Sequence, residues 1–467
     1  MLFNTVQFFV FFAIVIGAHY SAPRALRKYI LLAASYVFYM AWNPLFVPLL
    51  LTLTAVDYVA AMWMERVTNV RRKKALLILS LAANLGFLAF FKYYNFLAGL
   101  VAQTFGLAPD SFAFSIILPL GISFHTFQSM SYVVDVYRGK QQAIRNPIDY
   151  ALFIAFFPQL VAGPIVRAGE FFADFYHWRR PNPEEVLRGA LWMLFGLVKK
   201  IALADQFAQI SDAYFGNLAM HPGPTAAWSG TFAFAMQIFF DFSGYTDMAI
   251  GMALLLGFHF PVNFRRPYLA FSVTEFWHRW HISLSRWLRD YLYIPLGGNR
   301  YGAWNTYRNL MLTMLLGGLW HGASWNFVIW GGYHGALLSL ERIVGRKRFL
   351  DQPGLLLYPM RAALTFVLVI VGWVFFRAVN LSDSLYVLGQ MFSGGWSAAS
   401  VLIPRWLLVF VAVTTLIAVV EEKWELLEQR ISRGPAWAYA VLIIALLFSV
   451  ELIGVTDKAV PFVYFQF

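Results

Sequence analysis

The feature of this sequence that most restricts its fold is a series of apolar runs, each about twenty residues long. Runs such as 2–20, 45–64 and 76–100 have the length at which a helix crosses about 30 Å of hydrocarbon. Hydrophobic residues make up 60% of the 467 residues and charged residues 13%, whereas soluble domains average about 25% charged. The sequence therefore predicts an all-α polytopic membrane protein with about 11–13 membrane segments, built as one domain over residues 1–467.

The net charge of +12 lies largely in short loops between the apolar runs, as at 24–28 and 66–74. Clusters of Lys and Arg are typical of cytoplasmic loops, so these turns are expected on the cytoplasmic side of a lipid bilayer. A basic stripe with interleaved exposed aromatics is absent from the sequence, and we do not expect nucleic-acid binding. The first apolar run has its positive charges after it, the reverse of a secretory signal, so we expect it to remain as a helix.

The sequence contains no cysteine, which excludes disulfides, thiolate metal sites and a cysteine nucleophile. It also contains no Walker A loop, no dinucleotide-binding glycine motif and no Gly-x-Ser-x-Gly elbow. The sequence therefore argues against an ATP-driven pump and against a serine hydrolase of the Gly-x-Ser-x-Gly type. An acyl group handled by this chain would ride on a hydroxyl, ride on an imidazole, or pass directly from donor to acceptor.

Two histidines, His281 and His321, stand in strongly apolar surroundings. An ionisable group at membrane depth is costly, so a functional role is the first hypothesis. Imidazole titrates near neutrality and can take the proton of an acceptor hydroxyl and return it to a leaving thiol. The alternative is that each histidine packs between helices and hydrogen-bonds across the bundle. A membrane helix is expected over 310–340, with His321 near its middle and amides at Gly317-Gly318 available to stabilise negative charge.

A charged helix, re-entrant or lying on the surface, is expected over about 273–293. On such a helix Glu275, His278, His281 and Ser285 would occupy neighbouring positions. That spacing could hold a metal, but two histidines and one carboxylate make a thin ligand set, and we expect no metal.

Two carboxylates, Asp241 and Asp247, interrupt the apolar run 228–256. With Ser243 and Tyr245 they could wall a polar tunnel that positions substrate. They could equally cap the ends of re-entrant helices near Ser243, and the residues alone leave both interpretations open.

A basic turn follows the charged helix and contains Gly297-Gly298-Asn299-Arg300. Together with Arg289, its guanidinium groups and backbone amides could bind the phosphates of a donor. Cytoplasmic loops are basic in any case, so this signal is weak by itself.

These motifs together resemble the membrane-bound O-acyltransferase family, in particular its bacterial branch that acetylates alginate and other exopolysaccharides. Residues 280–285 and 320–322 carry the resemblance most clearly. His278 departs from it, because relatives are expected to have arginine there. The similarity extends over nearly the whole chain, through 121–124, 132–139, 162–164, 240–245, 287–294 and 297–300.

The resemblance implies re-entrant helices around a central tunnel, His321 as the essential catalytic histidine and His281 as the second functional one. It implies acetyl-CoA, or another acyl thioester, as a donor substrate and no bound cofactor. The inner membrane is the implied location, and a periplasmic esterase-like protein and the polysaccharide secretion machinery are the implied partners. The acceptor could instead be cellulose, peptidoglycan or another surface glycan, and a transporter of an acylated carrier remains the alternative without chemistry.

The last residues, 462–467, resemble a C-terminal aromatic motif of the same branch. In the related teichoic-acid D-alanylation system, a tyrosine of such a motif on a companion protein can carry the acyl group. The resemblance thus makes Tyr464 a candidate acyl relay at the outer mouth. The alternative is that it anchors the chain in an interfacial aromatic belt.

Overall fold

A computed structural model of the chain describes residues 1–161, 163–350, 354, 357–395, 402–424, 434–455 and 460–463. Within these ranges the chain forms helices joined by turns and contains no β-strand, so the predicted all-α architecture is confirmed. The α-helices are α1 (Val6–Ser21), α2 (Arg24–Met40), α3 (Val47–Arg66), α4 (Val70–Leu88), α5 (Tyr94–Thr104), α6 (Ile122–Tyr137), α7 (Pro147–Ala155), α8 (Phe157–Leu160), α9 (Ala168–Tyr176), α10 (Pro183–Val198), α11 (Asp205–Gly216), α12 (Pro224–Leu255), α13 (Val273–Arg279), α14 (Ile282–Leu288), α15 (Gly302–His321), α16 (Trp325–Leu350), α17 (Leu357–Arg377), α18 (Leu381–Met391), α19 (Arg405–Trp424) and α20 (Ala436–Ile453).

Four described segments are long and apolar enough to cross a membrane: Pro44–Arg66, Val70–Thr104, Pro224–Leu255 and Leu357–Arg377. Shorter apolar helices occur within α1, α19 and α20. The protein is therefore a multi-pass membrane protein. The total of 11–13 segments, the re-entrant placement of helices and the central tunnel stay predictions.

Helix α12 differs from the other three spans because 89% of its apolar window is buried inside the protein. A helix shielded in this way faces protein side chains rather than lipid, and these can satisfy polar groups that hydrocarbon cannot. This environment explains how α12 accommodates two carboxylates.

The chain divides into two compact units. The first unit comprises 1–193 with 248–261, and the second unit comprises 194–247 with 262–467. In the first unit, buried Asp57 of α3 accepts hydrogen bonds from Ser80 and Asn84 of α4, which ties these helices together. The site residues named from the sequence belong to the second unit, and the single domain over 1–467 stays a prediction.

Helices α15 and α16 of the second unit form a tight hairpin. A Cβ on Gly318 would lie 2.2 Å from the carbonyl oxygen of Phe327, and one on Gly331 would lie 2.3 Å from that of Met314. Glycine at both positions lets the two backbones touch. The helix predicted over 310–340 is wrong, because the chain turns at Gly322, whose backbone is extended. His321 accordingly ends a helix and does not sit in its middle.

Candidate active site

His281 lies at a break in the chain between α13 and α14. Its backbone adopts the left-handed conformation (φ 43°, ψ 56°), which is uncommon for a residue other than glycine. Asn263 stabilises the break, since its backbone carbonyl accepts Ile282 N–H at 2.9 Å and its side-chain oxygen accepts Ser283 N–H at 3.0 Å. The single helix predicted over 273–293 is therefore wrong, and His281 does not share a helical face with His278 and its neighbours.

The same asparagine orients the His281 ring. Because Asn263 Oδ1 is an acceptor, His281 Nδ1–H donates to it, at 3.3 Å, which makes Nε2 the unprotonated nitrogen of the neutral ring. His281 is fully buried, and burial lowers its pKa to about 3, which keeps the imidazole neutral at physiological pH. Asn263 is a positioning residue that the sequence did not reveal.

His321 packs in a cluster of aromatic rings. Its ring centroid lies 5.1 Å from those of Trp330 and Phe376 and 4.8 Å from that of Trp320. The Trp320 ring also lies 6.5 Å from His281, so one indole neighbours both histidines. The structure thus brings together the two histidines that the sequence singled out.

Another buried histidine of the second unit, His334 on α16, was not predicted from the sequence. Its ring lies 4.9 Å from Trp330 and 5.2 Å from Trp277, and neither ring nitrogen has a hydrogen-bond partner among the described residues. The available signal was its spacing of four residues from Trp330, which places both on one helix face. The buried indole N–H groups of Trp277 and Trp330 likewise have no acceptor among the described residues.

A cavity of about 640 Å³ opens beside this cluster. Its volume is within the range of sites that bind small molecules, about 300–1,000 Å³. Trp277 lines the cavity, and its ring lies 5.6 Å from that of Trp330, which contacts His321. The other aromatic and apolar lining residues include Ile282, Leu288 and Met314. The polar lining residues are Thr274, His278, Ser285, Arg286, Arg289, Tyr293, Asn299, Thr313, Glu341 and Arg342.

The charges around the cavity are mainly positive. The one carboxylate among its lining residues, Glu341, caps the start of α13 by accepting Val273 N–H at 2.6 Å and Thr274 N–H at 3.0 Å. Arg289 is exposed and pairs with Asp290 at 2.7 Å. The lining therefore offers guanidinium groups to an anionic ligand.

The turn at 297–300 offers fewer groups for binding a phosphate than the sequence predicts. The amides of Gly297 and Gly298 donate to the carbonyls of Ile294 and Tyr293, just before the turn, and Arg300 N–H donates to the carbonyl of Gly297. These amides therefore do not form a phosphate cradle. Of the turn's polar side chains, Asn299 lines the cavity, whereas Arg300 is exposed and is not among the lining residues. The prediction that Gly317-Gly318 supply amides at a helix end is also wrong, because both glycines lie inside α15.

Asp241 lies away from the cavity lining, in a buried ionic cluster. Lys200 Nζ is 3.0 Å from its carboxylate and 2.7 Å from that of Asp205. Asp247 pairs in the same way with Lys199. Both carboxylates lie within the continuous helix α12, so neither caps a re-entrant helix end near Ser243.

Ser243 and Tyr245 are also buried on α12 and are not among the cavity-lining residues. The Tyr245 ring instead packs at 4.6 Å against Phe462, near the C-terminus. Tyr464 lies outside the described residues.

The sequence was compared with known proteins. Residues 76–381 match the model of MBOAT, the membrane-bound O-acyltransferase family. A probable alginate O-acetylase AlgI of Pseudomonas putida is 44% identical over 424 residues, covering 89% of this chain and 85% of that protein.

Two further relatives differ in what their names say they act on. A peptidoglycan O-acetyltransferase of Helicobacter pylori is 38% identical over 429 residues, covering 84% of this chain and 80% of that protein. A teichoic acid D-alanyltransferase of Bacillus subtilis is 31% identical over 238 residues, covering 47% of this chain and 58% of that protein. Each of these names describes an acyl transfer.

Proposed function

Since the chain belongs to the membrane-bound O-acyltransferase family, we propose that it moves an acetyl group from a cytoplasmic acyl thioester to an exported polysaccharide of the alginate type. The observation that carries this proposal is the arginine-lined cavity, which neither His281 nor His321 lines but whose Trp277 packs on Trp330, the ring that contacts His321. The transporter alternative is set aside, because family membership makes the chain an O-acyltransferase.

The donor proposed for the cavity is acetyl-CoA. Arg286, Arg289 and Arg342 line the cavity, and guanidinium groups bind phosphates through paired charge-assisted hydrogen bonds. The apolar part of the lining suits the pantetheine arm and leads toward Trp277. We further propose that this side faces the cytoplasm of the inner membrane, since basic loops favour that side.

His321 is proposed as the general base. Its imidazole takes the proton of the acceptor hydroxyl while the oxygen attacks the thioester carbonyl, so a C–O bond forms and the C–S bond breaks. The imidazolium then returns the proton to the departing thiolate, which leaves as a thiol. The indole N–H groups of Trp277 and Trp330 are proposed to donate to the developing oxyanion, and neutral His281 to orient the reacting groups through Nε2.

The acceptor side is proposed to involve Tyr464. Its hydroxyl would take the acetyl group and pass it to a periplasmic esterase-like partner working with the polysaccharide secretion machinery. Val463, the residue before it, is buried and accepted as a hydrogen-bond donor by Asp241, which supports a defined position for Val463 itself. Peptidoglycan is the second candidate acceptor, because the relative named for it is similar over 84% of the chain.

Sealed membrane vesicles test the reaction and its direction. Inside-out vesicles with the protein are expected to release free CoA thiol from added acetyl-CoA and to retain labelled acetyl on protein or glycan. Right-side-out vesicles should do neither, because acetyl-CoA does not cross the bilayer. Equal release in both orientations would contradict a cytoplasmic donor side, and release in neither would contradict the proposed donor. Added alginate or peptidoglycan fragments then identify the acceptor.

The cavity arginines are expected to set affinity for the donor. Arg286→Gln combined with Arg289→Gln should raise the KM for acetyl-CoA about tenfold, because charge-assisted hydrogen bonds contribute about 1.5–3 kcal/mol. The matched control is Arg300→Gln, which removes an exposed arginine from the turn at 297–300 that does not line the cavity. Acetyl-pantetheine, which has no phosphate, should be used equally by all three proteins. An unchanged KM in the double variant would place the phosphates elsewhere.

The tyrosine relay has its own test. Tyr464→Phe is expected to lower acetyl transfer to glycan at least tenfold and to abolish acetyl labelling of a C-terminal peptide, because only the hydroxyl is removed. CoA binding should be unchanged. Full glycan acetylation by Tyr464→Phe would rule out the relay and would favour direct transfer to the acceptor.

A further inference from the structure

The buried ionic cluster of the second unit is built around Lys200. Its ammonium group is 1% exposed and lies between the carboxylates of Asp205, at 2.7 Å, and Asp241, at 3.0 Å. Two carboxylates share one ammonium group, so Asp241 has a carboxylate oxygen that can accept a further hydrogen bond. Burying charges costs several kcal/mol per ion, and such clusters contribute little net stability even when paired. Their presence therefore calls for a role other than stabilisation.

Asp241 also binds the backbone of the C-terminal segment, residues 460–463. Its second carboxylate oxygen accepts the backbone N–H of Val463 at 2.6 Å. Lys200 in turn donates to the carbonyl of Pro461 at 3.4 Å. Val463 and Phe462 are fully buried. One backbone donor and one backbone acceptor of the segment are thus held by one ion pair, which fixes both its position and its direction.

The docked segment lies next to the helix face that contacts His281. The Phe462 ring packs at 5.6 Å against Phe242, and the Phe242 ring meets His281 edge-on at 4.7 Å. Asp241 and Phe242 are consecutive on α12, so one residue holds the segment and the next contacts the histidine.

Residues 453 and 455, which precede the segment, are hydrogen-bonded to residues close to Lys200. The carbonyl of Ile201, next to Lys200, accepts Val455 N–H at 3.2 Å, and Gln206 donates to the carbonyl of Ile453 at 2.7 Å. The stretch containing Lys200 and Ile201 is a π-helical turn, 199–204, and such turns are frequent at functional sites.

We propose that Asp241 and Lys200 are positioning residues that dock the chain's own residues 460–463 beside Phe242, the α12 residue that contacts His281, so that acyl transfer proceeds through a C-terminal segment held in cis. This inference rests on the proposed function for its catalytic part, while the docking itself does not. Removing Asp241 leaves Lys200 paired with Asp205, a balanced pair. The variant should therefore fold while its C-terminal segment is released.

The first test is carboxypeptidase digestion of the purified protein in detergent, followed through the release of free valine. In a protein expressed as residues 1–467, Val463 is the first valine that a carboxypeptidase reaches, and its burial should stop digestion before it in the wild type. Asp241→Ala is expected to release valine at least tenfold faster. Asp247→Ala is the matched control, because it removes the other lysine-paired carboxylate of α12 and should leave the rate unchanged. Equal valine release by wild type and Asp241→Ala would overturn the docking.

The second test separates positioning from general damage. Asp241→Ala is expected to lower kcat for acetyl transfer about tenfold with an unchanged KM for acetyl-CoA. Asp241→Asn should recover part of the activity, since its amide oxygen can still accept Val463 N–H. Val463→Pro, which lacks that N–H, should reproduce the loss, whereas Val463→Ala should not, and these changes near the C-terminus leave the folded helices intact.

The outcomes distinguish this inference from the proposed function. Fast valine release by Asp241→Ala with wild-type kcat would overturn the catalytic role of docking. Full activity of Val463→Pro would overturn it in the same way. If the wild type shows no acetyl transfer, the proposed function fails, and the valine assay alone decides whether residues 460–463 are docked by Asp241.

Discussion

Replacing His321 with alanine is expected to lower acetyl transfer by about a thousandfold or more while the amount of folded protein stays at the wild-type level. General base catalysis typically contributes about 10²–10⁴-fold to a rate, and no other described histidine lies at the end of α15. Size-exclusion chromatography in detergent measures folded protein, and release of CoA thiol measures transfer. His321→Gln should be equally inactive, because an amide fills the space without accepting the proton.

His334→Ala is the matched control for this prediction. His334 is also buried and also packs on Trp330, so its removal creates a similar void beside the same indole. We expect it to keep transfer within about tenfold of the wild type, because the proposed mechanism gives it no proton to move. Transfer by His321→Ala within tenfold of the wild type would make His321 a packing residue. An equal loss in both variants would assign the effect to the void.

Gly318→Ala is expected to prevent α15 and α16 from packing, and so to remove most of the folded protein. The added methyl group would lie 2.2 Å from the Phe327 carbonyl oxygen and 3.0 Å from Gly331 Cα, which are backbone atoms that cannot rotate away. Overpacking typically costs about 1–3 kcal/mol, and a clash with backbone belongs at or above the upper end. The measurement is the yield and thermal stability of monodisperse protein in detergent.

The adjacent glycine supplies the control. A Cβ on Gly317 would meet only the end of the Leu288 side chain, at 3.3 Å, and that side chain can move. Gly317→Ala should therefore give wild-type yield, and helix propensity favours alanine over glycine by about 1 kcal/mol. Similar yields for both variants would contradict the close backbone contact between α15 and α16.

Much of the candidate active site was predictable from the sequence because its signals are local. A histidine within an apolar stretch is unusual whatever surrounds it, and that made His281 and His321 candidates before any fold was known. Arg289 and Asn299 were predicted from a basic turn near those motifs, and Ser285 from its place in the motif that contains His281. All three line the cavity.

Other parts depended on contacts between distant residues. Asn263 lies eighteen positions before His281, and nothing in its own neighbourhood indicates that it sets the imidazole tautomer. Asp241 was visible as an interruption of an apolar run, but its pairing with Lys200 was not, because hydropathy records how costly a charge is and not which partner satisfies it.

The membrane class, the helical architecture and the family can be predicted from the sequence alone, because apolar length and short motifs are properties of contiguous residues. The positions of the helix breaks and the partners of the buried charges depend instead on the folded chain. The break at His281 requires Asn263, and the turn after His321 brings Gly318 against the backbone of α16. The Val463 N–H that donates a hydrogen bond to Asp241 lies 222 positions further along the chain. Periodicity reports which residues are buried, whereas the partner of a buried polar group is fixed by the packing of the folded chain.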